Sequence, residues 1–299
     1  MKKLLPLFAA VFFAACGSGN TDSLNVPEND SEDVFAEDLS AYTCPLEGYK
    51  CVWHEEFDGK DLNKNKWKAE VWPSRRVNNE LQEYVDCVTP GGKKTIDVSD
   101  GTLKITALEE NGNIYSGRIY GNVDTGWKYA YVEARLKLPK GKGTWPAFWM
   151  MPVDSSDGWP LCGEIDIMEE VGYDPDVIVG TIHCDAYNHT KGTQKTATMP
   201  LEGAEGEFHT YALEWTADYI KTYADGKEIL NFPNDNRKEK VTWPFDKPFY
   251  VILNLAWGGD WGGSQGVDNT ALPATYEVDY VRVFQKNFAT SSRALRSGR

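Results

Sequence analysis

Gly163-Glu164-Ile165-Asp166-Ile167-Met168-Glu169-Glu170 is the stretch whose reading decides the fold. Acid and isoleucine alternate from Glu164 to Ile167, the period of two that sends successive side chains to opposite faces of a β-strand. Glu164 and Asp166 share one face; Ile165 and Ile167 share the other. Unbroken alternation would next place Met168 beside the acids and turn Glu169 inward. One extra residue taken up as a β-bulge returns Glu169 to the acidic face. Glu164 and Glu169 then stand about four strand steps of ~3.3 Å apart, or ~13 Å along the backbone. Side chains leaning together close such a gap to the ~5–5.5 Å over which two carboxyls perform retaining chemistry at a glycosidic bond. A solvated strand face carries the same alternation, so these eight residues need their surroundings to decide between the two.

The same period recurs elsewhere. Across 127–138, Ala130, Val132, Ala134, Leu136 and Leu138 alternate with Tyr129, Tyr131, Glu133, Arg135 and Lys137. Segments 102–108, 177–184, 208–215 and 276–284 read likewise, and Ala224-Asp225-Gly226-Lys227 predicts a tight hairpin turn. No long stretch has helical period and no internal repeat is present. Many short strands separated by turns predict an all-β fold, a jelly-roll sandwich of two stacked antiparallel sheets with a concave cleft. One domain over residues 48–287 accommodates all of them.

The flanks read differently. Lys2 and Lys3, an apolar run over 4–13 and then Ala14-Ala15-Cys16 predict a secretory signal over 1–15. The apolar run is far short of the ~20 residues that span a bilayer. Cys16 after two alanines resembles a bacterial lipobox, although Phe13 stands where leucine is usual. Lipid attachment at Cys16 would hold the exported protein at the bacterial outer membrane or cell surface; ordinary cleavage would release it. Residues 16–47, rich in Gly, Ser, Asn, Asp and Glu, predict a flexible tether, and 288–299 a disordered tail.

A net charge of −14 argues against nucleic acid and polyanionic polymers such as carrageenan, which would be repelled at long range, and a neutral polymer fits better. Eleven tryptophans and fifteen tyrosines are many for one domain; some must be core, and aromatic faces also stack on the C–H surface of pyranose rings. With Cys16 assigned to lipid, five cysteines remain, an odd number that leaves at least one thiol. Cys162 and Cys184 disagree in parity, so no bridge is expected between them, and nothing supports pairing Cys44 with Cys51. No Cys/His spacing suggests zinc.

Around the acidic strand lie Trp145-Pro146-Ala147-Phe148-Trp149-Met150, Trp159-Pro160 and Thr181-Ile182-His183. With Glu-Ile-Asp-Ile-Met-Glu, they resemble the signature of glycoside hydrolase family 16, in particular its laminarinase-like branch, over residues 50–285. Met168 gives the bulged form of the motif, which the shorter motif of bacterial lichenases lacks. The resemblance implies an endo-acting, retaining β-glucanase that cuts β-1,3- or mixed-linkage β-1,3-1,4-glucan, as a monomer and without a catalytic cofactor. It places the nucleophile on Glu164 and the acid/base on Glu169, with Asp166 hydrogen-bonded to Glu164. Three crowded carboxyls cannot all ionise cheaply, so at least one pKa should rise.

Trp145 and Trp149, on one strand face, are expected as stacking platforms, and His183 as a cleft histidine beside the acid/base. The resemblance carries over Asn79 from Asn78-Asn79-Glu80-Leu81-Gln82, and Arg118 as a basic cleft residue. Trp257, where a smaller residue is usual, either narrows a subsite or fills core. Glu170 has the wrong parity for the cleft and is expected to be structural. A stabilising calcium ion is implied on the convex side, held by Glu56, the carbonyl of Gly101 and Asp279. Two other readings stand: a non-catalytic surface glycan-binding protein, which has no need of all three acids, and an agar-type galactan hydrolase, which the laminarinase-like flanks do not favour.

Overall fold

Period-two alternation becomes strand at each place named above. The computed structural model describes residues 38–121 and 125–286. Among them seventeen strands form. The first eight are β1 (Tyr49–Glu55), β2 (Trp67–Ala69), β3 (Glu83–Tyr84), β4 (Ile96–Ser99), β5 (Thr102–Glu110), β6 (Asn113–Ser116), β7 (Arg118–Gly121) and β8 (Tyr131–Lys137). Then come β9 (Thr144–Pro152), β10 (Glu164–Glu169), β11 (Val177–His183), β12 (Lys195–Pro200), β13 (His209–Trp215), β14 (Tyr219–Ala224), β15 (Lys227–Pro233), β16 (Phe249–Trp257) and β17 (Ala274–Lys286).

Seven strands in the order β12-β11-β10-β9-β16-β7-β2 make one sheet. The other has ten, β15-β14-β13-β8-β17-β5-β6-β3, with β1 added on β17 and β4 on β5. Pairing is antiparallel except between the short strands β3 and β6. The hairpin turn between β14 and β15 has positive φ at both Asp225 (46°) and Gly226 (73°), the primed geometry that matches the twist of its strands. One apolar core lies between the sheets. Val132, Ala134 and Leu136 of β8 enter it from one side, and Ile165, Ile167 and Met168 of β10 from the other, all fully buried. Each large aliphatic side chain placed there contributes roughly 1.5–3 kcal/mol. Trp67, Trp215 and Trp257 are among its largest members.

The ten-stranded sheet also covers a small cluster on its outer face. Tyr131, Ala212 and Phe284 pack there, at positions alternate to the core residues Val132, Leu213 and Val283. Leu39, Tyr42, Cys44 and Leu46 lie over them. This corrects the expected tether: apolar side chains between 39 and 46 find a sheet face to cover, so the folded chain begins before residue 48. The signal segment 1–15, the lipid site Cys16 and the tail 288–299 lie outside the described residues. Cys44, Cys87, Cys162 and Cys184 are thiols, so neither weighed disulfide forms.

Candidate active site

The acidic strand is bulged where the alternation fails. On β11, Glu164 faces His183 and Asp166 faces Thr181, after which the register slips before Glu169 meets Val179. Against β9, Asp166 pairs with Trp149 and Glu169 with Ala147, with the slip between Asp166 and Met168. Ile167 and Met168 both turn into the core, and that pair of inward residues brings Glu169 back to the face of Glu164 and Asp166. Above this face opens a cleft of about 470 Å³.

Each outer carboxylate is held by an indole. Trp159 Nε1 donates to Glu164 Oε2 at 2.9 Å, and Trp145 Nε1 donates to Glu169 Oε1 at 2.9 Å. Asp166, 3 % exposed, shares a hydrogen bond with Glu164. Burial pushes Glu164 up to about 7, opposed by the Trp159 bond and the Arg118 charge. Glu169 is also pushed up to about 7 by burial, with the Trp145 bond opposing and Glu164 adding to the rise. Asp166 lies well above the carboxylate range through burial and then through its charged neighbours Glu164 and Glu169. Burial first, and the charges neighbouring Asp166 and Glu169 second, therefore favour retention of protons on this strand at neutral pH.

Trp149 and Trp145 both line the cleft, as their shared parity predicts. A buried relay fixes Trp149: its Nε1 donates to Asn254 Oδ1 (2.8 Å), Asn254 Nδ2 donates to the Tyr84 hydroxyl (3.1 Å), and that hydroxyl donates to Glu80 Oε2 (3.3 Å). Gln82 Nε2 donates to the same oxygen at 2.7 Å. Arg118 lies in the cleft wall between two indoles, 4.1 Å from the Trp72 ring centre and 4.8 Å from that of Trp149, and pairs with Glu70.

Three expected residues stand elsewhere. Asn79 points its amide to Asp260 Oδ1 (2.8 Å), while its neighbours Asn78 and Glu80 line the cleft. Both asparagines have positive φ (49° and 51°), so strand parity does not carry through this turn. Trp257 is wholly buried, donates to Asn269 Oδ1 at 3.3 Å and packs at Gly143, where φ is +120° and an added Cβ would lie 3.1 Å from the ring. On β16 the cleft belongs to Asn254 and Ala256, and Trp257 has the opposite parity. His183 sits beside Asp166 and Glu164, with Nε2 3.4 Å from Asp166 Oδ2, and not beside Glu169. Burial pulls it down to about 4, so its imidazole is neutral. The histidine that lines the open cleft is His189, on the loop after β11. Glu170 is fully buried, accepts a bond from the Asp176 amide at 2.8 Å and is pushed up to about 8 by burial.

The calcium set fits poorly. Both oxygens of Glu56 accept from Arg282, at 2.9 and 2.7 Å, and Asp279 Oδ2 accepts from Arg135 at 2.6 Å. A carboxylate already neutralised by a guanidinium fork is a weak calcium ligand. Glu56 is thus an arginine partner, and an ion near Gly101 would depend on backbone oxygens and Asp279.

The two-sheet jelly roll that carries this acidic strand is a fold shared with solved structures of known hydrolases. Residues 82–282 match the family described as "Glycosyl hydrolases family 16". The chain belongs to glycosyl hydrolase family 16. This family 16 hydrolase is 42 % identical over 248 residues to a β-glucanase of Rhodothermus marinus, covering 79 % of this chain and 85 % of that one. It is 34 % identical to a glucan endo-1,3-β-glucosidase of Cryptopygus antarcticus, covering 83 % of this chain and 100 % of the relative. Among solved structures it resembles a non-specific endo-β-1,3(4)-glucanase of the same family (TM-score 0.75, 43 % identity, 82 % of this chain and 94 % of that one). The laminarinase of Rhodothermus marinus is a second match (TM-score 0.74, 41 % identity, 79 % and 97 %).

Several cleft residues of this hydrolase escaped sequence reasoning: Trp72, Trp159, Glu70, Glu80, Tyr250, Asn254 and His189. Asn254 had a usable signal in the parity of β16. His189 had none, because it opens a single 3-10 turn (His189–Lys191), too short to show a period.

Proposed function

We propose that this family 16 hydrolase is an endo-acting, retaining β-glucanase for β-1,3-glucan, mixed-linkage β-1,3-1,4-glucan, or both. One observation carries the reading: Glu164 and Glu169 emerge on one face of a bulged strand, each oriented by an indole N–H, in an aromatic groove. Glu164 as carboxylate attacks the anomeric carbon, forming a glycosyl-enzyme bond as the glycosidic C–O bond breaks. Glu169 gives its proton to the departing oxygen. In the second half Glu169 takes a proton from water, the water oxygen bonds to the anomeric carbon, and Glu164 leaves as carboxylate. Asp166, carrying a proton, donates to Glu164 and steadies its charge; it is a positioning residue. Trp145, Trp149 and Trp72 offer faces to sugar rings, and the net charge of −14 suits a neutral polymer.

Product analysis on laminarin, barley β-glucan and agarose tests the reading. Short oligosaccharides from the glucans, released with retained anomeric configuration, are expected. Glu164→Ala should abolish their release, and azide should restore turnover by attacking in place of the missing carboxylate. Glu169→Gln should lower the rate by about 10²–10⁴. Binding without release would favour a glycan-binding protein, and activity confined to agarose a galactan hydrolase. We further propose export and lipid attachment through Cys16. Radiolabelled palmitate incorporated by the wild type and not by Cys16→Ala is the expected result.

A further inference from the structure

We propose that the Glu164 end of the cleft is also a divalent-cation site, suited to Zn²⁺, formed by His183, Asp166 and Glu164. These three make a group whose candidate ligand atoms all lie within 4.8 Å of one another. His183 Nε2 is 3.4 Å from Asp166 Oδ2 and 3.9 Å from Glu164 Oε1. A tetrahedral zinc ion with bonds of ~2.0–2.1 Å spaces its ligands ~3.4 Å apart, so one edge is already in place and the second closes by about 0.5 Å. His183 and Asp166 are 7 % and 3 % exposed, which holds both in position.

A second, independent observation is that Oδ2 of Asp166 faces the imidazole yet has no hydrogen-bond partner in the protein, and neither has Nδ1 of His183. With the ring proton on Nδ1, the lone pair of Nε2 and those of the two carboxyls converge on one point, which calls for a cation. Glu164 lines the open cleft, so an ion can enter from the groove and keep a water as its fourth ligand. One imidazole with two carboxylate oxygens suits zinc; calcium and magnesium prefer oxygen-only shells with more ligands. An ion there occupies the carboxylate proposed to attack the sugar, so it inhibits by competing with glucan. That last step rests on the proposed function; the binding itself does not.

The test is calorimetric titration of the full-length protein with zinc chloride at neutral pH, with cobalt(II) absorption as an independent reading of geometry. One zinc site per chain, tetrahedral cobalt bands and inhibition reversed by EDTA are expected. His183→Gln should weaken zinc affinity by about tenfold or more, since even partners of metal ligands are worth that much. Asp166→Asn serves as a second variant should His183→Gln lose its native circular dichroism. Unchanged zinc affinity in the folded variants, or no binding by the wild type, would overturn the site. Glucan hydrolysis measured without zinc reports separately on the proposed activity.

Discussion

Trp159 donates its only polar hydrogen to the carboxylate proposed to attack the sugar, and that bond lowers the pKa of Glu164. Attack requires Glu164 ionised, so kcat/KM rises with pH through its pKa; protonation of the leaving group requires Glu169 protonated, so kcat/KM falls through the second. Both are pushed up to about 7, which predicts a narrow bell centred near neutrality, above the range of ordinary carboxylates. Trp159→Phe keeps the ring and removes the donor. Its rising limb should move to higher pH and its peak rate drop by about tenfold, the loss expected of one hydrogen bond to a charged group; a pH–rate profile on laminarin decides. Glu170 makes a separate prediction for stability. Its folded pKa, about 8, lies above the ordinary value. From the ordinary carboxylate range up to about 8 the native state therefore keeps a proton that the unfolded chain has released, and stability falls with rising pH. Glu170→Gln lacks that slope and can still accept the Asp176 amide. Its unfolding free energy, from urea titrations, should match the wild type in acid and exceed it at alkaline pH, by an amount on the order of a few kcal/mol.

At the level of the element, β10 works because two consecutive residues, Ile167 and Met168, are seated in the core. Met168→Ala leaves a cavity under the bulge and should cost about 2–5 kcal/mol, seen as a lowered Tm in differential scanning calorimetry. On β16 the opposite-facing Trp257 is core, so Trp257→Phe should lower Tm while leaving KM for glucan unchanged. This strand also shows where sequence reasoning succeeds and fails. The bulge was legible because alternation breaks at a single residue between flanking acids, and Trp145 and Trp149 were legible because they lie two turns of the same pleat apart. Trp257 was assigned by resemblance, although parity puts Asn254 and Ala256 on the cleft face. Asn79 lies in a turn of positive φ, where no period operates. Glu56 and Asp279 look like free oxygens until β1 and β8 pair with β17 and set Arg282 and Arg135 against them.

Over the whole molecule, a cleft on the seven-stranded sheet and a docked N-terminal segment on the ten-stranded sheet divide the labour. Tyr42 stacks near His54 (4.1 Å between ring centres) and under Arg282 (4.9 Å), which clamps that segment down. Tyr42→Ala should lower Tm by several degrees, at ~2–4 °C per kcal/mol for a domain of this size, and leave kcat unchanged, because Tyr42 packs on the ten-stranded sheet and the cleft opens on the other. Chain entry on the far face has a spatial meaning as well. Residues 39–46 lie on the outer face of the ten-stranded sheet, and the groove opens on the other sheet. A polymer many times longer than the protein can then settle across the open side without displacing the segment that Tyr42 pins down.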